Sequence, residues 1–317
     1  MIYPKPIMRG LISYVPGVNS TPKLREHDSK KAARYGYSVW LRHLVTAHKN
    51  GVQAVPRIIA EIGPGDSLAT GLAAILSGAD KYFALDVVPY ARNNENVAVF
   101  DELVSLFRAR KKIPDNNELL RQTPELESYS FPKEVLPKDF INECTSVERV
   151  RHIRDELFRL NNNCASGEAV QYFAPWTSSD IKPESVDMIV SQAVMEHIDN
   201  LDKAYEAMYR WLKKGGLISH QIDFSCHGDA EKWNGHWAYS DRMWKLIRGH
   251  RPYLINREPY STHINYLTSY DFKIIYEKRD IDEVSSIQAS KLSTKYKNMP
   301  YEDFVTRGVV IQAIKSS

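Results

Sequence analysis

The 317 residues carry 42 Lys and Arg against 39 Asp and Glu, a net charge of +3, with 43% hydrophobic and 26% charged residues. That composition excludes disorder over the whole length, and no apolar run approaches the roughly 20 residues of a membrane-spanning helix. A near-neutral balance without a clustered basic run argues against a nucleic-acid partner.

Cys144, Cys164 and Cys226 are too widely spaced for a disulfide framework or a zinc pattern. No apolar stretch of signal-peptide length follows Met1, so a cytoplasmic setting is expected.

In chain order, Pro4, Pro6, Pro16 and Pro22 suggest an extended arm, followed by an amphipathic helix over about 30–49 that Gly51 and Pro56 close. A strand over 57–62 runs into Gly63-Pro64-Gly65, then a helix over about 67–77 and a second strand at 82–86. Strand, glycine turn, helix and strand form a βαβ unit and imply a parallel sheet. Residues of about 89–167 exceed what a crossover needs and read as a largely helical insertion or lid. Strands resume at 169–173 and 186–190. A helix over 201–212, stopped by Gly215-Gly216, then precedes a strand at 217–222, and late strands fall at 272–276 and 308–313. The division expected is an arm and helix over 1–56 and one α/β domain over 57–317.

The turn Glu61-Ile-Gly63-Pro-Gly65-Asp66-Ser67 opens a helix, where backbone can approach a ligand closely. Asp86 ends the next strand, where a carboxylate can accept both hydroxyls of a ribose. Leu68 stands where a dinucleotide fingerprint needs its third glycine, and no Gly-Lys-Ser/Thr follows for a phosphate loop.

The segment resembles instead the acidic-x-Gly-x-Gly motif of class I S-adenosylmethionine-dependent methyltransferases. Further landmarks stand in the family's order: Tyr172-Phe-Ala174-Pro-Trp176, Ser191-Gln192-Ala-Val-Met-Glu196-His197, and Trp211-Leu-Lys-Lys-Gly215-Gly216. The resemblance implies a Rossmann-like, seven-stranded, mostly parallel sheet with helices on both faces. It also implies S-adenosyl-L-methionine as cofactor and S-adenosyl-L-homocysteine as product. Glu61, Gly63, Gly65, Asp66 and Ser67 would hold the methionine end and Asp86 the ribose. Ala174, Trp176 and Gln192 would border the rest of the cofactor. Ala174 stands where the family often has Asp, so adenine would be read by backbone groups or by stacking on Trp176.

After the fifth strand, Ser219-His220-Gln-Ile-Asp223-Phe-Ser-Cys-His227 leads to Trp233-Asn234-Gly-His236-Trp237. Methyl transfer to a hydroxyl asks for alignment and removal of a proton, which suits a histidine. His220 or His227, oriented by Asp223, is a candidate base, and His197 is another. The same residues could hold a divalent metal through His220, Asp223 and His227, or could simply pack together. The spacing follows no standard ligand pattern, and no metal is expected. Trp233, Asn234, His236, Arg251 and Arg257 are candidates for the acceptor.

The run from His220 to Arg257 resembles methyltransferases of bacterial surface-polysaccharide assembly. It implies O-methylation of a small polar acceptor such as a sugar, nucleotide sugar or glycan terminus. A natural-product O-methyltransferase and a catalytically inactive cofactor-binding partner are the alternatives. A nucleic-acid amino-methyltransferase would carry Asp/Asn-Pro-Pro-aromatic where Ser191-Gln192-Ala193-Val194 stands.

Overall fold

The computed structural model describes residues 4–15, 28–91, 95–161 and 167–316. Its sheet has seven strands: β1 (Ile58–Ile62), β2 (Lys81–Leu85), β3 (Val170–Phe173), β4 (Val186–Gln192), β5 (Leu212–Asp223), β6 (Phe272–Ile281) and β7 (Thr306–Lys315). They lie in the order β3-β2-β1-β4-β5-β7-β6. The first five are parallel, and β7 runs antiparallel between β5 and β6. This is the Rossmann-like, seven-stranded, mostly parallel sheet with helices on both faces that the motif order implied. The strand order reverses between β1 and β4, and the crevice at their carboxyl ends is where open α/β sheets take ligands.

Both faces of the sheet are covered, which is why β1 and β2 read as nearly continuous apolar runs. On one face Ile59, Tyr82, Ala84, Met188, Val190 and Leu217 join the core of α2 (Ser29–Lys49), α3 (Ala69–Leu76) and α4 (Glu95–Arg108). On the other face, Ala60, Phe83, Ile189, Ile218 and Ile222 pack with Tyr205, Met208 and Trp211. Those three belong to α7 (Leu201–Trp211). Asp28 caps α2 by accepting from the Lys30 and Lys31 backbone N–H groups, an ordinary helix start.

Four expectations change. Residues 4–12 form a helix, α1 (Pro4–Ile12), rather than an extended arm. Proline is tolerated there because the first turn's N–H groups have no intrahelical acceptor. Pro16 and Pro22 lie outside the described residues.

The insertion is less helical than expected. Beside α4 it holds α5 (Lys138–Cys144) and α6 (Val147–Asn161), while residues 109–137 form no helix or strand. The double glycine does not stop α7, which ends at Trp211; Gly215 and Gly216 lie inside β5. β5 also continues one residue further than expected, to Asp223. The remaining helices are α8 (Asp241–Arg248), α9 (Tyr260–Ser269) and α10 (Tyr301–Val305).

Cys144 and Cys226 are buried free thiols, and Cys164 lies outside the described residues. Among the described residues, no helix is long and apolar enough to cross a membrane.

Candidate functional site

Beyond β1 the chain turns through Gly63 at φ +68° and Gly65 at φ +70°, a backbone region that side-chain-bearing residues avoid. A Cβ on Gly63 would lie 2.6 Å from Val194 in the loop after β4, so the two loops touch there. A Cβ on Gly65 would meet nothing within 4 Å, which leaves open space against the turn. Asp66 is half-buried on the same turn. Ser67 Oγ and Asn96 Oδ1 accept from the Ala69 and Leu68 N–H groups, so side chains hold the start of α3.

Glu61 is buried behind the turn and accepts from the Tyr82 hydroxyl at 2.5 Å. Burial pushes its carboxyl up to about 7, partly offset by hydrogen bonds from Tyr82 and Thr70. Its contacts brace β1 against β2 and α3.

Asp86 follows β2 and is also buried. Its Oδ1 accepts from the Val87 N–H at 2.7 Å, whereas Oδ2 is buried without a hydrogen bond of good geometry. Burial pushes this carboxyl up to about 6, against the pull of the Val87, Gly65 and Val88 backbone N–H groups. Val87, half exposed beside it, offers an apolar surface that sequence reading missed.

The chain after β3 closes the third side. The Trp176 N–H donates to the Asp86 carbonyl at 3.1 Å, following Ala174 and Pro175. The Trp176 ring stands edge-on to Trp211 of α7 at 5.4 Å. Gln192 ends β4, with Oε1 3.1 Å from His43 Nε2. His43, fully buried on α2, also contacts Ser219 Oγ at 2.6 Å. Burial pushes His43 down to about 4, so it is neutral and orients Gln192. Nothing in the helical periodicity distinguished it from the apolar face around it.

Asp223 and His227 come together at the carboxyl end of β5, with Nε2 3.3 Å from Oδ2. Burial raises the Asp223 carboxyl, but hydrogen bonds from His227 and Ser225 outweigh it and hold it below the usual range. His227 sits at φ +49°, and its ring meets that of His197 at 5.1 Å. His197 closes a short 3-10 turn after β4. Burial and His227 push it down to about 4, and its Nδ1 is buried without a partner.

The neighbouring Glu196 is 2% exposed, and both its oxygens lack a hydrogen bond of good geometry. Burial raises its carboxyl well above the usual range. In the sequence Glu196 stands beside His197 with nothing to mark a role of its own. Donor atoms of Glu196, His197 and His227 all lie within 4.8 Å of one another.

His220 does not join this group. It points to the opposite face of β5, where Nδ1 contacts Ser191 Oγ at 2.7 Å and the ring faces Tyr205. Burial, His263 and His43 push it down to about 3. The alternative metal set of His220, Asp223 and His227 is therefore split across the sheet.

Of the acceptor candidates, Trp233 lines a cleft of about 700 Å³ together with Asp223, His227, Arg121, Glu125 and Lys278. The others are tied into the scaffold. Asn234 is buried between the Phe304 carbonyl and the Ile287 N–H. His236 packs on Trp237 at 4.6 Å, and burial pushes it down to about 3. Arg251 pairs with Asp229 at 3.1 Å and donates to the Ile247 carbonyl. Arg257 pairs with Asp241 at 2.6 Å and lies over the rings of Trp244 and Tyr296.

Residues 141–219, from α5 into β5, match the family model described as a methyltransferase domain. That stretch carries the methyltransferase signature. It contains Gln192, Glu196 and His197 but not the glycine turn or Asp86. No curated protein sequence matches the chain.

Similar solved structures include phosphoethanolamine N-methyltransferase 2 of Haemonchus contortus in complex with S-adenosyl-L-methionine. That pair shares 14% identity at a TM-score of 0.44, covering 91% of this chain and 57% of that one. An S-adenosylmethionine-dependent methyltransferase of Mesorhizobium loti is 10% identical at a TM-score of 0.40, with coverage of 83% and 92%.

Proposed function

We propose that this chain is a cytoplasmic S-adenosylmethionine-dependent methyltransferase acting on a hydroxyl of a small polar acceptor. The acceptor is a sugar, nucleotide sugar or glycan terminus of the surface-polysaccharide kind. The observation that carries the cofactor assignment is Asp86 Oδ2, a buried acceptor without a hydrogen bond of good geometry at the tip of β2. It stands beside a glycine turn that has open space against Gly65. A ribose diol satisfies that oxygen, and the turn leaves room for the methionine end. Ala174, Trp176 and Gln192 border the remainder, with Val87 as a further apolar contact. When bound, the cofactor supplies an electrophilic methyl group on a sulfonium.

The chain's own part is to bring the acceptor oxygen into line, exclude water and receive a proton. His227, oriented by Asp223, is the base in this reading, with His197 beside it. The cleft next to them is large enough for a sugar or nucleotide sugar and carries charged groups of both signs with Trp233 on its wall. That lining suits a polar acceptor better than an apolar natural product.

Methyl transfer from labelled cofactor into fractionated glycans and nucleotide sugars tests the proposal. Label should appear as an O-methyl group on a sugar; label confined to amines or apolar phenols would refute the acceptor class. His227→Ala should lower kcat by roughly 10²–10⁴ with cofactor affinity unchanged by calorimetry. Retained turnover in that variant removes His227 from the base role.

A further inference from the structure

We propose that Glu196, His197 and His227 form a binding site for one divalent first-row transition cation of the manganese, iron or zinc type. Three donors of this kind, gathered from the loops after β4 and β5, lie within 4.8 Å of one another. Modest closure brings such a set onto a cation at about 2.0–2.2 Å per ligand.

Glu196 supplies the independent observation. Its carboxylate is 2% exposed, and neither oxygen has a hydrogen bond of good geometry. A buried carboxylate in that state is sustained by a bound cation or by a proton. His197 adds a second buried donor without a partner, Nδ1. Asp223 orients the His227 ring at 3.3 Å, as carboxylates do for metal-bound histidines.

Two imidazoles and one carboxylate favour transition cations over magnesium, which prefers all-oxygen sets and keeps its waters. The ligand set differs from the one the sequence suggested because Glu196 replaces His220, which lies on the other face of the sheet.

His227, one of the three ligands, and Asp223 also line the cleft, so an ion held here would lie beside it. With the ion bound, His227 would serve as its ligand instead of as the base: the cation would bind the acceptor hydroxyl, and the proton would pass to Asp223. The new C–O bond then forms as the bond between methyl and sulfonium breaks, leaving the thioether product. This use rests on the methyltransferase reading; binding of the ion does not.

The test is Mn²⁺ binding to the chelator-treated full chain, read from the loss of the free-ion paramagnetic resonance signal, with Zn²⁺ calorimetry alongside. One ion per chain should bind. Glu196→Gln, His197→Ala and His227→Asn should each weaken it by about 10–100-fold. S-adenosylhomocysteine affinity, measured on the same samples, should be unchanged in Glu196→Gln. The absence of stoichiometric Mn²⁺ or Zn²⁺ binding by the wild-type chain overturns the proposal without reliance on any variant's folding. Equal binding in all three variants overturns the assigned ligands. An ion that binds to a chain without cofactor affinity would leave the site standing and remove the methyltransferase reading. The reverse result would remove the site alone.

Discussion

Asp86 is a carboxyl whose two oxygens have different surroundings, and that difference makes its role testable. Oδ1 is held by the Val87 N–H, while Oδ2 is buried without a hydrogen bond of good geometry. Burial places its ionisation near pH 6 in the free chain. In the proposed role only the ionised form would accept from both ribose hydroxyls, and binding would therefore stabilise the ionised form. Cofactor affinity should be flat above pH 7 and should fall by up to about tenfold per unit as pH drops below 6. Asp86→Asn should weaken S-adenosylhomocysteine at pH 8 by about 10–100-fold, the usual value of a charge-assisted hydrogen bond, and should remove the pH dependence. Calorimetry at pH 5, 6 and 8 on both proteins decides this. Equal affinity at pH 8 would take Asp86 out of the cofactor site.

At the scale of elements, the two glycines after β1 serve different purposes. Gly63 lets the first loop touch Val194 after β4, whereas Gly65 keeps space open. Both have positive φ, so alanine at either position carries a backbone cost of about 1 kcal/mol. Gly63→Ala adds a clash with Val194 and should lower the thermal midpoint further than Gly65→Ala does. Val194→Ala in the Gly63→Ala background should recover most of that difference, a coupling that a double-mutant cycle measures.

The βαβ unit was legible because a short apolar strand, a glycine turn and an Ala/Leu-rich helix have separate sequence signatures. Asp86 followed from its position at a strand tip. The histidine cluster was only half legible. His220 and Asp223 are three residues apart, an odd separation that puts them on opposite faces once both lie in β5. With the strand expected to stop at residue 222, that rule did not reach Asp223. Glu196 was hidden for another reason: an acid before a histidine reads as surface, and only the loop's packing buries it. α1 was missed because prolines that break a helix interior are harmless in its first turn.

For the whole molecule, the least regular part of the insertion forms a wall of the cleft beside His227, and one buried cation pins it. Arg42 is fully buried on α2 and donates to the carbonyls of Pro114, Gln122 and Pro124 at 2.8, 3.1 and 2.7 Å. Its guanidinium also lies 4.9 Å from the centre of the Tyr129 ring. Arg34 pairs with Glu118 on the same side, and Lys278 of β6 reaches Glu125 at 3.1 Å. Residues 121–125 are thus held between α2 and β6, at the edge of the space lined by Asp223 and His227.

Arg42→Met keeps much of the side-chain volume but leaves three carbonyls without their donor, each costing about 1–3 kcal/mol where water cannot replace it. The exposed tip of the segment can regain water, so the cost should appear first as local opening rather than global unfolding. Amide exchange across 109–137 should accelerate at least tenfold, while β1, α3 and β2 keep their protection. Acceptor KM should rise with cofactor affinity unchanged, because Asp86 and Glu61 take their hydrogen bonds from β2, α3 and the turns beside them. Unchanged exchange in 109–137 would show that the ion pairs at Arg34 and Lys278 suffice to hold this wall. A uniform loss of protection over the sheet would instead assign Arg42 to the stability of the whole α2 layer.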